Sequence, residues 1–161
     1  MSNMYRVGYS EDIHRLVENR KLMLGGIEVP FHLGEDAHSD GDVLLHAISE
    51  SILGALNLGD LGTHFPDNSE KTLNMDSKLI LKRVKELMDE KGYEIVNIDS
   101  SIVLEKPKIK EYIPLMKKSV ADVLGIDDEN VSIKAGTNEG VDEIGKLKAI
   151  KAVAIVLLKR K

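Results

Sequence analysis

The sequence predicts an α+β fold: a two-layer domain with helices on one face of a mixed four-stranded sheet, plus a small hairpin. Three observations point to it. Apolar residues alternate at period two near the start of the chain, and β-branched runs recur near its middle and end. Between them the apolar spacing switches to helical intervals, bounded by capping residues and glycines. The resulting order is strand, hairpin, helix, helix, strand, helix, strand, strand, which suits segregated helices packed on one side of a sheet.

The elements follow in order. Tyr5, Val7 and Tyr9 alternate with Arg6, Gly8 and Ser10, and this strand runs on into Glu11–His14. Leu22–Leu24 and Ile27–Val29 flank Gly25-Gly26, a pair that supplies the positive φ of a tight hairpin turn. Pro30–Ser39 reads as a loop. From Asp40 the residues Val43, Ala47, Ile52 and Leu53 outline a helix ending near Gly59. Leu61–Met75 is polar and irregular, and long loops of this kind often carry function. The cap pair Asp76-Ser77 opens a second helix with Ile80, Val84 and Leu87 on one face, stopped by Gly92. Ile95–Leu104 reads as a strand. A third helix begins between Ile109 and Pro114 and ends at Gly125, since proline is tolerated in a first turn. Val131–Ala135 and Ile150–Leu158 complete the sheet. The last strand is apolar at nearly every residue, so both its faces are expected to be buried, the uncovered one by a partner subunit.

Composition narrows the function classes. The chain of 161 residues suits a single domain, 1–161, with 42% hydrophobic and 30% charged residues. Its net charge of −5, two Phe, four Tyr and no Trp argue against nucleic-acid binding. Cysteine is absent, which removes disulfides, thiol catalysis and Cys-ligated metals and leaves His and carboxylates as metal ligands. Met1–Arg6 has no signal-peptide character, and the longest apolar run, Ala152–Leu158, is far below the roughly 20 residues a membrane span needs. A cytoplasmic location is expected, with no membrane association.

Five histidines are present: His14, His32, His38, His46 and His64. Asp12 and His14, two apart on a strand, point to one face and can reach one ion. His46 follows Asp42 by one helical turn. Two imidazole nitrogens and a carboxylate oxygen make a three-ligand set with an open fourth position, for which Zn²⁺ is favoured although ligand type does not settle the metal. On spacing alone, Asp12-x-His14 also reads as a solvated strand end and His46 as an ordinary helix residue. His38-Ser39 precedes a helix N-terminus, a place hospitable to phosphate. No P-loop, Gly-x-Gly-x-x-Gly after a strand or Gly-x-Ser-x-Gly occurs. His32 and His64 take no role.

Read together, several segments carry a resemblance: Gly8 with Asp12-Ile13-His14, the block Ala37–His46, Gly59-Asp60-Leu61-Gly62 with Phe65-Pro66-Asp67, Lys106-Pro107-Lys108, and Lys134–Glu139. Over essentially the whole chain they resemble the 2-C-methyl-D-erythritol 2,4-cyclodiphosphate synthases of non-mevalonate isoprenoid biosynthesis. The resemblance implies a lyase that converts 4-diphosphocytidyl-2-C-methyl-D-erythritol 2-phosphate to the 2,4-cyclodiphosphate and CMP. It implies a homotrimer with active sites shared between adjacent subunits. Asp12, His14 and His46 would hold one Zn²⁺ per subunit, and Glu139 would help hold Mg²⁺ or Mn²⁺ on the substrate diphosphate. His38 and Thr137 match the catalytic positions that stabilise the transition state. Ser39, Asp60, Leu61, Gly62, Phe65 and Asp67 match positions around the methylerythritol phosphate. Leu104, Lys106, Pro107 and Lys108, with Gly136, Asn138 and Lys146, complete the substrate-binding set, the loop at 104–110 cradling the CDP portion.

The chain departs from the common pattern in two places. Gly136-Thr137-Asn138-Glu139 stands where Thr-Thr-Thr-Glu is frequent, and Glu143–Ala149 replaces a Phe and Gly-Arg-Gly stretch. Near the trimer axis, where an isoprenoid diphosphate would sit, Lys146 keeps a charge but lacks the fork of arginine, and Glu143 replaces an aromatic. Two other classes compete: a catalytically degenerate trimer that binds an isoprenoid diphosphate or a cytidine nucleotide, and a zinc phosphohydrolase.

Overall fold

In the computed structural model, which describes residues 4–161, the first and last strands form the centre of the sheet. Strand β1, Tyr5–Glu18, pairs antiparallel along most of its length with the C-terminal strand Ala149–Arg160. The elements between them are the hairpin β2 (Leu22–Leu24) and β3 (Ile27–Val29), β4 (Leu33–Asp36), α1 (Val43–Ala55) and the single turn α2 (Leu61–His64). Then follow α3 (Ser77–Glu90), β5 (Tyr93–Val103), α4 (Ile113–Leu124), β6 (Val131–Gly136), the single turn α5 (Asp142–Gly145) and β7, the C-terminal strand. The main sheet has the order β4-β1-β7-β5-β6, with β5 and β6 parallel and the other neighbours antiparallel, and the hairpin stands apart.

The fold class matches expectation; the strand number does not. The sheet has five strands because Leu33–Asp36, inside the stretch read as loop, pairs with Arg15–Glu18. This segment has no alternating pattern of its own, and becomes a strand because β1 runs on to Glu18 and offers it an edge. The segment 61–75 likewise contains α2 and a short 3₁₀ turn at Glu70–Thr72, capped by Asp60 and Ser69.

Helix α1 crosses β1 and β7, α3 packs on α1, and α4 packs on β6 and α3. Leu44, Leu45, Ile48, Ile52 and Leu53 are buried against Ile98, Ile102 and Ile150, with Ala152, Ala154, Val156 and Leu158 beneath them. The period-two rule sorts β7 accordingly: Ile150 to Leu158 at even positions face the helices, and Ile155 on the other side is 45% exposed. Both faces of this strand were expected to be buried, but within one chain only the helix side is. Its open side continues onto β1 as Tyr5, Val7, Tyr9 and Ile13, with Val7 69% exposed.

Two joints fix α1. Asp42 caps it by accepting from Leu45 N, and the same carboxylate accepts from Gly25 N (3.0 Å) and Gly26 N (2.7 Å), tying the hairpin turn to the helix. Those glycines have φ of 59° and 78°, as a tight turn needs. At the other joint, a Cβ on Gly8 would lie 1.8 Å from the Ser51 carbonyl oxygen, so α1 rests directly on the backbone of β1.

This contact predicts opposite outcomes for two glycines. Gly8→Ala should cost about 1–3 kcal/mol, because it overpacks against unyielding backbone. Gly54→Ala should gain about 0.5–1 kcal/mol, because it sits in a helix with open space where its Cβ would be. Urea unfolding of both variants checks the sign of each.

Candidate functional site

Because β1 alternates, Asp12 and His14 share the helix-facing side with Gly8, and α1 lies over them. His46, on the first turns of α1, meets them there. One oxygen of Asp12, Oδ2, lies 3.0 Å from His14 Nε2 and 3.3 Å from His46 Nδ1. The donor atoms of Asp12, His14 and His46 lie within 4.8 Å of one another, the only such group of three among the described residues. The two rings meet edge to face with centroids 5.2 Å apart.

The outer nitrogen of each ring is also occupied. His14 Nδ1 contacts the Gly41 carbonyl at 2.7 Å, and His46 Nε2 lies 2.9 Å from Ser77 Oγ and 3.1 Å from Ser39 Oγ. A ring that gives its outer N–H to such a partner turns a bare inner nitrogen toward Asp12, the arrangement of metal-ligating histidines. Burial pushes the Asp12 carboxyl up, but hydrogen bonds and charge from His14 and His46 outweigh it and hold it well below the carboxylate range. For His14, burial lowers the pKa, but Asp12 and the Gly41 carbonyl outweigh it, for a net rise. The residues present therefore suit a divalent cation.

The triad opens into a cleft of about 360 Å³. His38 and Ser39 line it from the loop before α1, and Leu61, Gly62, Phe65 and Asp67 from the far wall. His38 is held by Nε2 on the Ser69 carbonyl at 2.9 Å. Asp60 is not among the lining residues: its carboxylate caps α2, accepting from Thr63 N (2.9 Å) and Thr63 Oγ1 (2.8 Å).

At the α1 N-terminus, a start that by sequence could take phosphate or only water, two of the first N–H groups are already engaged. Val43 N donates to Glu35 Oε1 (3.1 Å) and Leu45 N to Asp42. Glu35 is fully buried, and burial, then the charge of Asp42, pushes its carboxyl well above the usual range.

The remaining expected residues lie elsewhere on the chain. Leu104, Pro107, Lys108, Gly136 and Thr137 line a second cavity of about 180 Å³, which shares no residue with the triad cleft. Asn138 flanks it, its N–H donating to Glu105 Oε1 (2.7 Å), and Glu139 is exposed with φ 53°. Lys106 is exposed on the same loop. Lys146 pairs with Glu143 (2.9 Å) beyond β6.

A model of the YgbB family matches residues 5–159. The chain belongs to the YgbB family. It is 49% identical to the 2-C-methyl-D-erythritol 2,4-cyclodiphosphate synthase of Fusobacterium nucleatum over 98% of this chain and 99% of that protein. It is 50% identical to the synthase of Brachyspira hyodysenteriae over 96% and 98% of the two. Among solved structures, the Plasmodium falciparum IspF CDP complex matches at TM-score 0.87 and 36% identity, over 100% of this chain and 99% of that one. The bifunctional IspDF of Campylobacter jejuni matches at TM-score 0.94 and 36% identity, covering 98% of this chain. This chain spans 42% of the length of that bifunctional protein.

Two residues that the sequence did not single out support this region of the YgbB chain, Glu50 in the cleft lining and Ser77 buried behind His46. Glu50, one turn beyond His46, accepts from Ser10 Oγ (2.8 Å) and Leu61 N (3.1 Å), so it moors α2 to the sheet. Its i+4 spacing from His46 was the available signal. Ser77, read only as part of a helix cap, reaches His46 across 31 residues.

Elemental analysis after dialysis should find a divalent cation on the wild-type chain. His46→Ala should lower the content to near zero, and His32→Ala, which lies outside the triad, should leave it unchanged. Undiminished metal in His46→Ala would remove the assignment.

Proposed function

We propose that this chain is a cyclodiphosphate synthase, a phosphorus–oxygen lyase that converts 4-diphosphocytidyl-2-C-methyl-D-erythritol 2-phosphate to 2-C-methyl-D-erythritol 2,4-cyclodiphosphate and CMP. One observation carries the reading: the Asp12, His14 and His46 constellation opens into a cleft in a chain about half identical to synthases of that name. Among the described residues, no Lys or Arg lines that cleft, which instead presents Asp12, Asp36, Glu50 and Asp67. A substrate carrying phosphates therefore needs bound cations to enter it.

The nucleophile is the substrate's own 2-phosphate, and the group displaced from the β-phosphorus is CMP. No serine or cysteine nucleophile is required. Zn²⁺ on Asp12, His14 and His46, with Mg²⁺ or Mn²⁺ at Glu139, would neutralise charge on the reacting phosphates. The chain's own groups bind and orient. His38, fixed by its hydrogen bond to the Ser69 carbonyl, and Ser39 present polar groups at the mouth of the triad. Leu61, Gly62 and Phe65 shape the wall against which the methylerythritol folds, and Asp67 closes it. Thr137, with Lys106, Pro107 and Lys108, holds the diphosphate and cytidine side. Holding the substrate bent, with its 2-phosphate facing the β-phosphorus, supplies rate by proximity.

We infer that the complete site forms between adjacent subunits of a homotrimer; the separation of the two cavities within one chain supports this reading. The open apolar side of β1 and β7 is the surface such an assembly would cover. We take the chain as one synthase domain, 1–161, of a cytoplasmic enzyme; no helix among the described residues is long and apolar enough to cross a membrane.

Incubation with the CDP substrate and Mg²⁺ should yield CMP and the cyclic product. Release of inorganic phosphate from simple phosphoesters would favour a hydrolase, and binding without either product a degenerate trimer. His46→Ala should lower kcat/KM by about 10²-fold or more. Glu139→Gln should raise the Mg²⁺ requirement roughly tenfold while keeping the metal of the triad. Val7→Glu should shift the mass measured by light scattering from trimer toward monomer, by placing a charge in the apolar side.

A further inference from the structure

We infer that Ser77 and Asp40 are positioning residues of the metal centre: together they fix which nitrogen of His46 carries its proton. The inference rests on the reading that Asp12, His14 and His46 hold a cation. To bind one, His46 must keep Nδ1 bare where it faces Asp12, so its proton must sit on Nε2. Histidine has no built-in preference strong enough to guarantee this, and the partner of Nε2 decides it.

Ser77 Oγ, 2.9 Å from Nε2, could either donate or accept. Its direction is set by Asp40. The same hydroxyl lies against Asp40 Oδ1, and Asp40 Oδ2 accepts from Ser77 N at 3.1 Å. Asp40 Oδ1 also accepts from Asp42 N (3.1 Å), so the carboxylate is held by backbone on both sides. The Ser77 proton goes to Asp40, its lone pair faces His46, and Nε2 becomes the donor. Ser77 has no solvent exposure, so water cannot substitute for either partner. Ser39 Oγ, at 3.1 Å, accepts from Gly41 N (3.2 Å) and has no carboxylate behind it to fix the direction of its own hydroxyl, so Ser77 decides the tautomer.

The two histidines are thus oriented differently. His14 is fixed by a backbone carbonyl, which no substitution removes. His46 is fixed by side chains from two other segments, the loop before α1 and the first residue of α3. The docking of α3 is in this way part of the metal centre. Asp40 N donates to the Met75 carbonyl (3.0 Å), which holds the start of α3 against the same loop.

The test uses Co²⁺ in place of the native metal, read by chelator competition and by its visible absorption. Ser77→Ala should weaken Co²⁺ binding about 10–100-fold and alter the absorption, as loss of an orienting partner does. Asp40→Asn, whose amide can donate to Ser77 and reverse the chain, should weaken it as well. Ser77→Thr, which keeps the hydroxyl, should recover most of the loss. Circular dichroism and thermal unfolding verify that each variant is folded. Wild-type affinity and an unchanged spectrum in both Ser77→Ala and Asp40→Asn would overturn the inference while leaving the metal centre standing. Wild-type affinity in His46→Ala would overturn the metal centre itself. A measurement without substitution completes the test: in the ¹⁵N-histidine-labelled, zinc-loaded protein, the His46 proton should reside on Nε2, and its presence on Nδ1 would overturn the inference.

Discussion

Everything at the site depends on one carboxylate oxygen being shared by two imidazoles that come from different elements. Asp12 and His14 meet by the pleat of β1 alone, but His46 reaches them only if α1 lies unusually close to that strand. Gly8 permits the approach: any side chain there would enter the backbone of α1 at Ser51. Asp42 then fixes the start of α1 and joins it to the hairpin through Gly25 and Gly26. The helix is positioned at both ends of its contact, one end by the absence of an atom and the other by a buried carboxylate. That carboxylate is itself pushed up by burial and drawn back by the N–H groups of Leu45 and Gly26.

The charge distribution follows from the same joints. Glu35 and Asp42 take N–H groups that would otherwise attract an anion to the α1 N-terminus. The cleft is lined by histidines and carboxylates and, among the described residues, by no Lys or Arg. Such a surface attracts cations first. A net charge of −5 and a phosphate-bearing substrate are reconciled when the positive charge arrives as bound metal. The basic groups at Lys106, Lys108 and Lys110 lie on a different part of the chain, by the second cavity. On the proposed reading the substrate would meet metal at one end and lysines at the other, and subunits sharing a site would bring the two together.

The sequence made the long elements legible because their patterns are local. Alternation marked β1, the Asp76-Ser77 cap opened α3, and Gly125, with φ 65°, closed α4. The meeting of Asp12, His14 and His46 was legible too, from strand parity and from the motif resemblance. The rest depended on contacts distant in sequence. The β4 segment carries no pattern that distinguishes it from a loop, and its strand state comes from pairing with residues 15–18. Asp60 matched a substrate position, yet its carboxylate is engaged at the start of α2, which a sequence motif does not reveal. The β7 pattern suggested burial on both faces, whereas a single chain covers only one; an apolar run reports what a strand ultimately packs against, including surfaces outside its own chain.

The irregular segment 61–75 is the clearest case of structure supplied by function-bearing groups. Its two short turns are too brief to be stable alone. Glu50 holds the first through Leu61 N, and His38 anchors on the Ser69 carbonyl just before the second. At its far end, Asn74 N donates to the His38 carbonyl (2.7 Å) and Met75 accepts from Asp40 N. The wall of the cleft is therefore hung from residues that also serve the centre. A change at Glu50, His38 or Asp40 would disturb both the wall of the cleft and the hydrogen bonds around Asp12, His14 and His46.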